Sequence, residues 1–465
     1  MFKRNKLSGA IVAVVASMSC ASPLVAQEST TLEEVTVTGI RASMERAMDV
    51  KRDSSGVVDA ISSEDIGKFP DTNLAESLQR ITGVSINRVN GEGSEITVRG
   101  FTGSNNMVTL NGRTMPGGIA YGGGSGAGIT RGGGTRAFDF ANLASESVQG
   151  VQVYKTGRAD VSSGGIGATV NIDTAKPFNN PGFQATIGAK TVHDTTNLVG
   201  DDYTPELSGL LSWTDDNEKF GVALSGSVQE RDSGAANAAV NDWNIGTWGE
   251  DDLYSFTNNA VIENAPAEGQ LYARPNDLRY AWSDRHRERT NGQLTLQFRP
   301  VDNLTLTGDY TYAENYLQEH RSEQTFWFAN GDSANRVAFD NGSVAAPTIY
   351  SEVLSNKDGG FEQQWREQTN TLNSVGFNAD WEVNDGFSLS LDVHDSSMES
   401  LPSGPGNSGS IDVSIAAPVL ASQMVRFNNG LPVANITIDD EARGNNNGVF
   451  DGGDFGTQVA RVWYA

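Results

Sequence analysis

The sequence predicts a small α/β domain followed by the first strands of an antiparallel transmembrane β-barrel, an N-terminal and incomplete portion of it. Three observations predict this. Residues 53–178 mix short helical and strand patterns separated by turn signals. Past Pro177 the texture changes to a period of two, repeated in stretches of roughly 10 residues, the length a tilted strand needs to cross a bilayer. Short polar turns then alternate with far longer connections, which is how outer-membrane barrels are wired and soluble β-sandwiches are not.

The N-terminus has its own pattern. Lys3, Arg4 and Lys6 precede an apolar run from Leu7 to Met18, and Leu24-Val25-Ala26 leads to Gln27. Charged, apolar, then small residues are the order of a secretory signal over residues 1–26, and the run is shorter than the ~20 residues of a membrane anchor. Cys20 is the only cysteine, so cleavage after Ala26 leaves no disulfide framework and no cysteine metal site. Ser17, not a leucine, stands three residues before Cys20, which argues against a lipoprotein start.

Residues 27–52 contain Glu33-Glu34-Val35-Thr36-Val37-Thr38-Gly39, an alternating segment suited to pairing as an added strand. In the α/β domain, Val57 to Ile61 reads as a strand. A helix opened by Pro70-Asp71 runs through Leu74, Leu78 and Ile81, and Asn73 and Glu76 have capping-box spacing. Strands follow at Val84 to Arg88, Ile96 to Arg99, Val151 to Tyr154 and Ala168 to Ile172, with hairpin signals at Asn90-Gly91 and Asn111-Gly112. Residues 100–134 hold 13 glycines, the composition of a mobile loop.

From residue 179 to 465 seven strands are legible, marked by apolar residues at alternate positions: Phe183 to Ala189, Leu207 to Trp213, Phe220 to Val228, Leu294 to Phe298, Leu304 to Tyr310, Val375 to Trp381 and Phe387 to Val393. An eighth begins near Gly456 and runs through Val462 and Tyr464. The short turns are Asp215 to Glu218, Pro300 to Asn303 and Asn384 to Gly386; residues 233–287, 316–369 and 399–455 read as long loops. Eight strands enclose too little space for an internal domain, whereas about 22 would suffice, so the chain is expected to be a piece of a larger barrel.

Charge and motifs exclude several functions. The formal net charge is -25; residues 1–178 balance 17 basic against 17 acidic side chains, so the whole excess lies in the second part. Such a surface repels nucleic acid. His193, His286, His320 and His394 show no metalloprotease spacing, and no glycine-rich stretch continues into the lysine of a phosphate loop. Gly122, Gly124 and Ala127 mimic a dinucleotide fingerprint but follow no βα unit. The Asp/Asn-rich run Asp439 to Asp454 has oxygen ligands for calcium without the regular spacing of a calcium loop. No catalytic group, cofactor or metal site is expected.

These residues carry a resemblance. Glu34-Val35-Thr36-Val37-Thr38 looks like a TonB box, and Phe69 to Leu78, Ile81 to Val84 and Ile96 to Phe101 resemble the plug of TonB-dependent receptors. Val148 to Gly157 and Gly164 to Ile172 are similar to that plug's closing elements. The resemblance is specific over about residues 33–178 and architectural beyond, and it is strongest to the Xanthomonas- and Caulobacter-type group, often linked to carbohydrate uptake. It implies a cell outer-membrane protein, bounded by lipid, in which a plug fills the barrel. TonB, energised through ExbB and ExbD, would capture Glu34 to Thr38 and pull.

The resemblance further implies active uptake of a scarce solute, an oligosaccharide in the first reading and a ferric siderophore in the second. The contact candidates are Tyr121, Arg131 and Arg136 around the glycine-rich loop and Trp243 and Trp248 on a long loop, with Tyr254 and Trp327 as further aromatics. A signalling receptor would need an extra domain before the TonB box, and an adhesin or passive porin would not need the box. A truncated fragment would transport nothing by itself.

Overall fold

The computed structural model describes residues 47–62, 73–89, 92–117, 136–145, 148–240, 242–250, 256, 260–329, 333–427, 431–455 and 461–464. The predicted signal segment and Glu34 to Thr38 lie outside them. The first unit contains β1 (Val58–Ser62), the helix α1 (Leu74–Leu78), β2 (Val84–Val89), β3 (Glu92–Val98), β4 (Met107–Leu110), β5 (Arg113–Thr114), β6 (Val148–Tyr154) and β7 (Thr169–Thr174). Five strands form one sheet in the order β1-β6-β7-β4-β5, with β4 parallel to β7, and β2 pairs with β3 as a separate hairpin. Asn73 caps α1, its side chain accepting from the Glu76 amide at 3.3 Å. The Glu76 carboxylate pairs with Arg88 instead of closing the capping box. Leu74, Leu78, Ile96, Phe140, Val151 and Ile172 form the buried core.

The second unit holds β8 (Gln184–His193), β9 (Tyr203–Thr214), β10 (Phe220–Ala239), β11 (Trp243–Thr247), β12 (Val261–Glu263), β13 (Leu271–Pro275), β14 (Asp277–Val301), β15 (Leu304–Trp327), β16 (Ala334–Phe339) and β17 (Pro347–Asn384). It continues with β18 (Phe387–Pro402), β19 (Ser410–Arg426), β20 (Val433–Ile438) and β21 (Arg461–Tyr464). The main path is β8-β9-β10-β14-β15-β17, each pair antiparallel. β18 and β19 lie end to end along the far side of β17, at Gln368↔Pro402 and Arg366↔Ser410. All seven strands read from the period of two are present, and β21 pairs with β19 where an eighth was expected.

Residues 233–287, 316–369 and 399–455 depart from their reading as loops. β14 and β15 stay paired from Phe298↔Leu306 to Asp277↔Trp327, and β17 runs for 38 residues. A strand's apolar alternation ends where it leaves lipid, but its hydrogen-bond ladder does not. From Asn291 back to Ser283 both faces of β14 are polar, and the strand there is invisible to hydropathy.

Within the legible stretches the sheet is inverted relative to a soluble protein. Phe220, Leu224, Leu296, Phe298, Val375 and Phe377 are exposed, while Ser225, Ser227, Gln293, Thr295 and Gln297 on the opposite face are buried. Phe220 and Phe298 stack at 4.6 Å beside the short turns, as in an interfacial aromatic girdle. The buried polar face carries the first unit: Ala313 of β15 and Leu372 of β17 join its core cluster. Among the described residues the sheet stays open. β8 and β18 are its edges next to the short turns, and nearly every residue of both is exposed. Among the described residues no helix is long and apolar enough to cross a membrane.

Candidate functional site

Among the described residues three sets of polar contacts fasten the interior of the α/β unit to the sheet, besides the Phe178 amide on Gln297 at 2.9 Å where the chain passes from one to the other. In the first, the Asn111–Gly112 turn, with both residues at positive φ, reverses the chain into β5 and presents Arg113 to the wall. Its guanidinium donates to Asp309 of β15 at 2.6 Å and to Asp392 of β18 at 2.8 and 3.0 Å. Between those strands lies β17, and there Gly376 faces the guanidinium so closely that a Cβ would collide with it. A missing side chain on the middle strand therefore makes a socket, and a carboxylate on each neighbouring strand closes it. Arg113 and Asp309 are both buried and Asp392 is about one-third exposed, so loss of the guanidinium would strand a buried carboxylate.

A second attachment has the opposite polarity. Glu92, the first residue of β3, meets Arg287 and Arg289 of β14, and Arg289 also donates to Gln229 of β10 at 2.8 Å. The third is neutral. Asp139 accepts from Ser94 and from the Ala141 amide, both at 2.9 Å, and so caps the 3-10 turn Phe140–Asn142. That turn delivers Asn142 to Asn315 at 3.1 Å and to Asn370 at 3.3 Å, and places the Ala144 amide on Asn291 at 3.2 Å. Burial pushes the Asp139 carboxyl up to about 6, against the opposing pull of those two donors and of Arg289.

On the same face, further from the short turns, the wall becomes a lattice of charge. Arg285 and Arg366 flank Glu319, at 2.5 Å and 3.4 Å. One level on, Arg279 meets Glu323 at 2.8 Å and Glu362 at 3.7 Å, Arg321 meets Glu323, and Asp412 stands across from Gln364. The connections outside the wall have a core of their own, in which Trp248 lies edge-on to Tyr272 at 5.5 Å and Phe339 at 5.8 Å.

Of the sequence-predicted contacts, Glu34, Val35, Thr36, Val37, Thr38, Tyr121 and Arg131 lie outside the described residues. Arg136, the first described residue after the glycine-rich segment, is exposed. Trp243 is 37% exposed, with its ring 5.5 Å from that of Phe427, and Trp248 is half-buried in the aromatic core. Neither Trp243 nor Trp248 is among the lattice residues. Sequence reasoning missed Arg113, Glu92, Asp309, Asp392 and Gly376. A cation directly after an Asn-Gly turn was a usable signal for Arg113; the acids carried none, because their partners come from distant segments.

The Asp439 to Asp454 run uses its carboxylates internally. Asp440 accepts from the Asn446 and Gly448 amides, Asp454 from Asn445 and Asp451, and Asp451 from Gly453 and the side chains of Asn445 and Asn447. These bonds hold the Asp440 and Asp451 carboxyls below their ordinary value, led by the Gly448 amide and the Asn447 side chain respectively. Among the described residues no three His, Cys, Asp or Glu side chains converge as metal ligands.

Residues 50–169 match the TonB-dependent Receptor Plug Domain family. The chain is also similar to solved structures. The ferric enterobactin receptor PfeA of Pseudomonas aeruginosa is 13% identical, with 80% of this chain and 58% of that chain covered and a TM-score of 0.36. The siderophore receptor PirA of Acinetobacter baumannii is 14% identical, with 82% and 60% covered and a TM-score of 0.33. The ferric citrate transporter FecA is 14% identical, with 84% and 60% covered and a TM-score of 0.33. The chain thus spans less than two thirds of the length of each.

Proposed function

We propose that this chain, which carries a TonB-dependent receptor plug domain over residues 50–169, is part of an outer-membrane receptor that takes up a scarce solute, an oligosaccharide, by coupling to TonB. One observation carries the reading. A plug domain is held by Arg113 and Glu92 against the polar face of an antiparallel sheet whose other face is apolar. That arrangement suits a domain occluding a lipid-embedded conduit, and it needs a partner to move the domain. Glu34 to Thr38 precede the plug and would be captured by TonB as an added strand, since main-chain bonds give grip without demanding particular side chains. The inner-membrane proton gradient, through ExbB and ExbD, would supply the energy, and the long-strand end of the sheet would face the medium. Arg136 and Trp243 stay candidates for contact there, with Tyr121 and Arg131.

The test uses the full-length protein. Val35→Pro and Val37→Pro each remove a backbone donor and are expected to abolish growth on the transported solute while surface abundance is unchanged. Unchanged uptake by both variants would refute the TonB contact. A gene deletion that impairs growth under iron limitation, and not on glycans, would replace the oligosaccharide by a ferric siderophore.

A further inference from the structure

On the plug-bearing face of the extended strands, the indole of Trp327, at the end of β15, lies against Gly360 of β17. A Cβ at Gly360 would come within 2.9 Å of the ring. Trp327 is half-buried and stacks on no other ring among the described residues. Just below it Arg279 is paired with Glu323, which sits directly opposite Glu362 across the β15–β17 ladder. Arg279 also reaches Glu362 at 3.7 Å and so spans both carboxylates, which leaves the three acids Glu323, Glu362 and Asp412 with two cations, Arg279 and Arg321, at this level. Asp412 of β19, on the same face, is 8% exposed, and its Oδ1 has no hydrogen-bond partner among the described residues.

We propose that these six residues form a binding subsite for a neutral sugar ring, with the Trp327 indole as the stacking face and Glu362 and Asp412 accepting from ring hydroxyls. The inference rests on the uptake reading above and names the substrate chemistry of the wall. A sugar presents an apolar C–H face and a rim of hydroxyl donors; a half-buried indole matches the first, and a carboxylate with an unused acceptor, Asp412, matches the second. Arg279 fixes Glu323 and supplies donors to the same rim. The surplus of acid over base at this level disfavours an anionic ferric tris-catecholate, whose charge would meet Glu323, Glu362 and Asp412 in a partly desolvated site. Gly360 admits the indole: any side chain there would push the ring off the wall.

The whole chain in detergent micelles is titrated with neutral gluco-, xylo- and manno-oligosaccharides of about five sugars and, separately, with a ferric tris-catecholate, and binding is read by calorimetry. The expected result is saturable binding of one neutral series and none of the ferric complex. Trp327→Ala should remove it, Asp412→Asn and Glu362→Gln should weaken it about tenfold each, and Trp327→Phe, which keeps a stacking ring and controls for folding, should retain most of it. Sugar binding that survives Trp327→Ala and Asp412→Asn would overturn the subsite and leave carbohydrate uptake standing. Binding of the ferric complex without any sugar would overturn the carbohydrate reading itself, and silence toward every probe by a folded chain would overturn the subsite.

Discussion

Asp139 shows how one carboxyl can set the position of a whole contact. It caps the turn that carries Asn142 to the wall, yet burial raises its pKa to about 6 from an ordinary 3.8. For an acid raised in the folded state, folding disfavours the ionised form. The stability linked to Asp139 is therefore fully present below about pH 4, and it is lost as pH rises through about 6. The shift corresponds to about 3 kcal/mol between those limits. Hydrogen-exchange protection of residues 92–98 and 137–143 is expected to fall between about pH 4 and pH 6, the window of that transition. Asp139→Asn keeps an acceptor for Ser94 and Ala141 and should flatten the profile. At the same scale, Arg113→Ala would leave Asp309 buried without its partner, a loss of about 3–5 kcal/mol, visible as faster exchange across β4 and β5. Gly376→Ala should reproduce much of that effect with Arg113 intact, because the methyl group occupies the guanidinium's place.

At the scale of elements, legibility followed the solvent. Each strand was readable where one face is apolar, from Phe220 to Val228 in β10 and from Val375 to Trp381 in β17, because contact with lipid enforces a period of two. Beyond the apolar band, β14, β15 and β17 continue through residues such as Arg285, Glu319 and Arg366, whose alternation is of charge sign and not of hydropathy. Pairing of Arg285 and Arg366 with Glu319 depends on register, which a single strand's sequence does not contain. For the same reason the plug's outline was readable from Asn73, Leu78 and Asn111-Gly112, while the Arg113 socket was not. Its parts lie at Asp309, Gly376 and Asp392, and nothing in the local sequence of any one announces the others.

At the scale of the molecule, β8 and β18 offer unpaired ladders flanked by exposed Ile187, Leu389, Leu391 and Val393. Open edges of this length template pairing with other chains. This chain in detergent is expected to sediment as concentration-dependent oligomers, and Ser390→Pro, which removes a donor on the open side of β18, should shift the distribution toward monomer; a monodisperse monomer in both cases would show that the edges are satisfied otherwise.

The register also carries a direction. The hydrogen-bonded row that includes Phe298 and Leu306 passes on to Ala379 and Leu391. The first two stand four residues from Asp302 at their turn, the second two six residues from Asp385 at theirs. If the turns share one plane, a slip of two residues, at ~3.3 Å each, over two strand spacings of ~4.8 Å, means strands inclined by roughly 35° to the normal of that plane. A strand so inclined travels around the wall as it climbs. Asp309 and Trp327 share β15, yet they must differ in azimuth by several strand widths. The proposed stacking indole would thus stand on a different side of the wall from the socket that holds the plug.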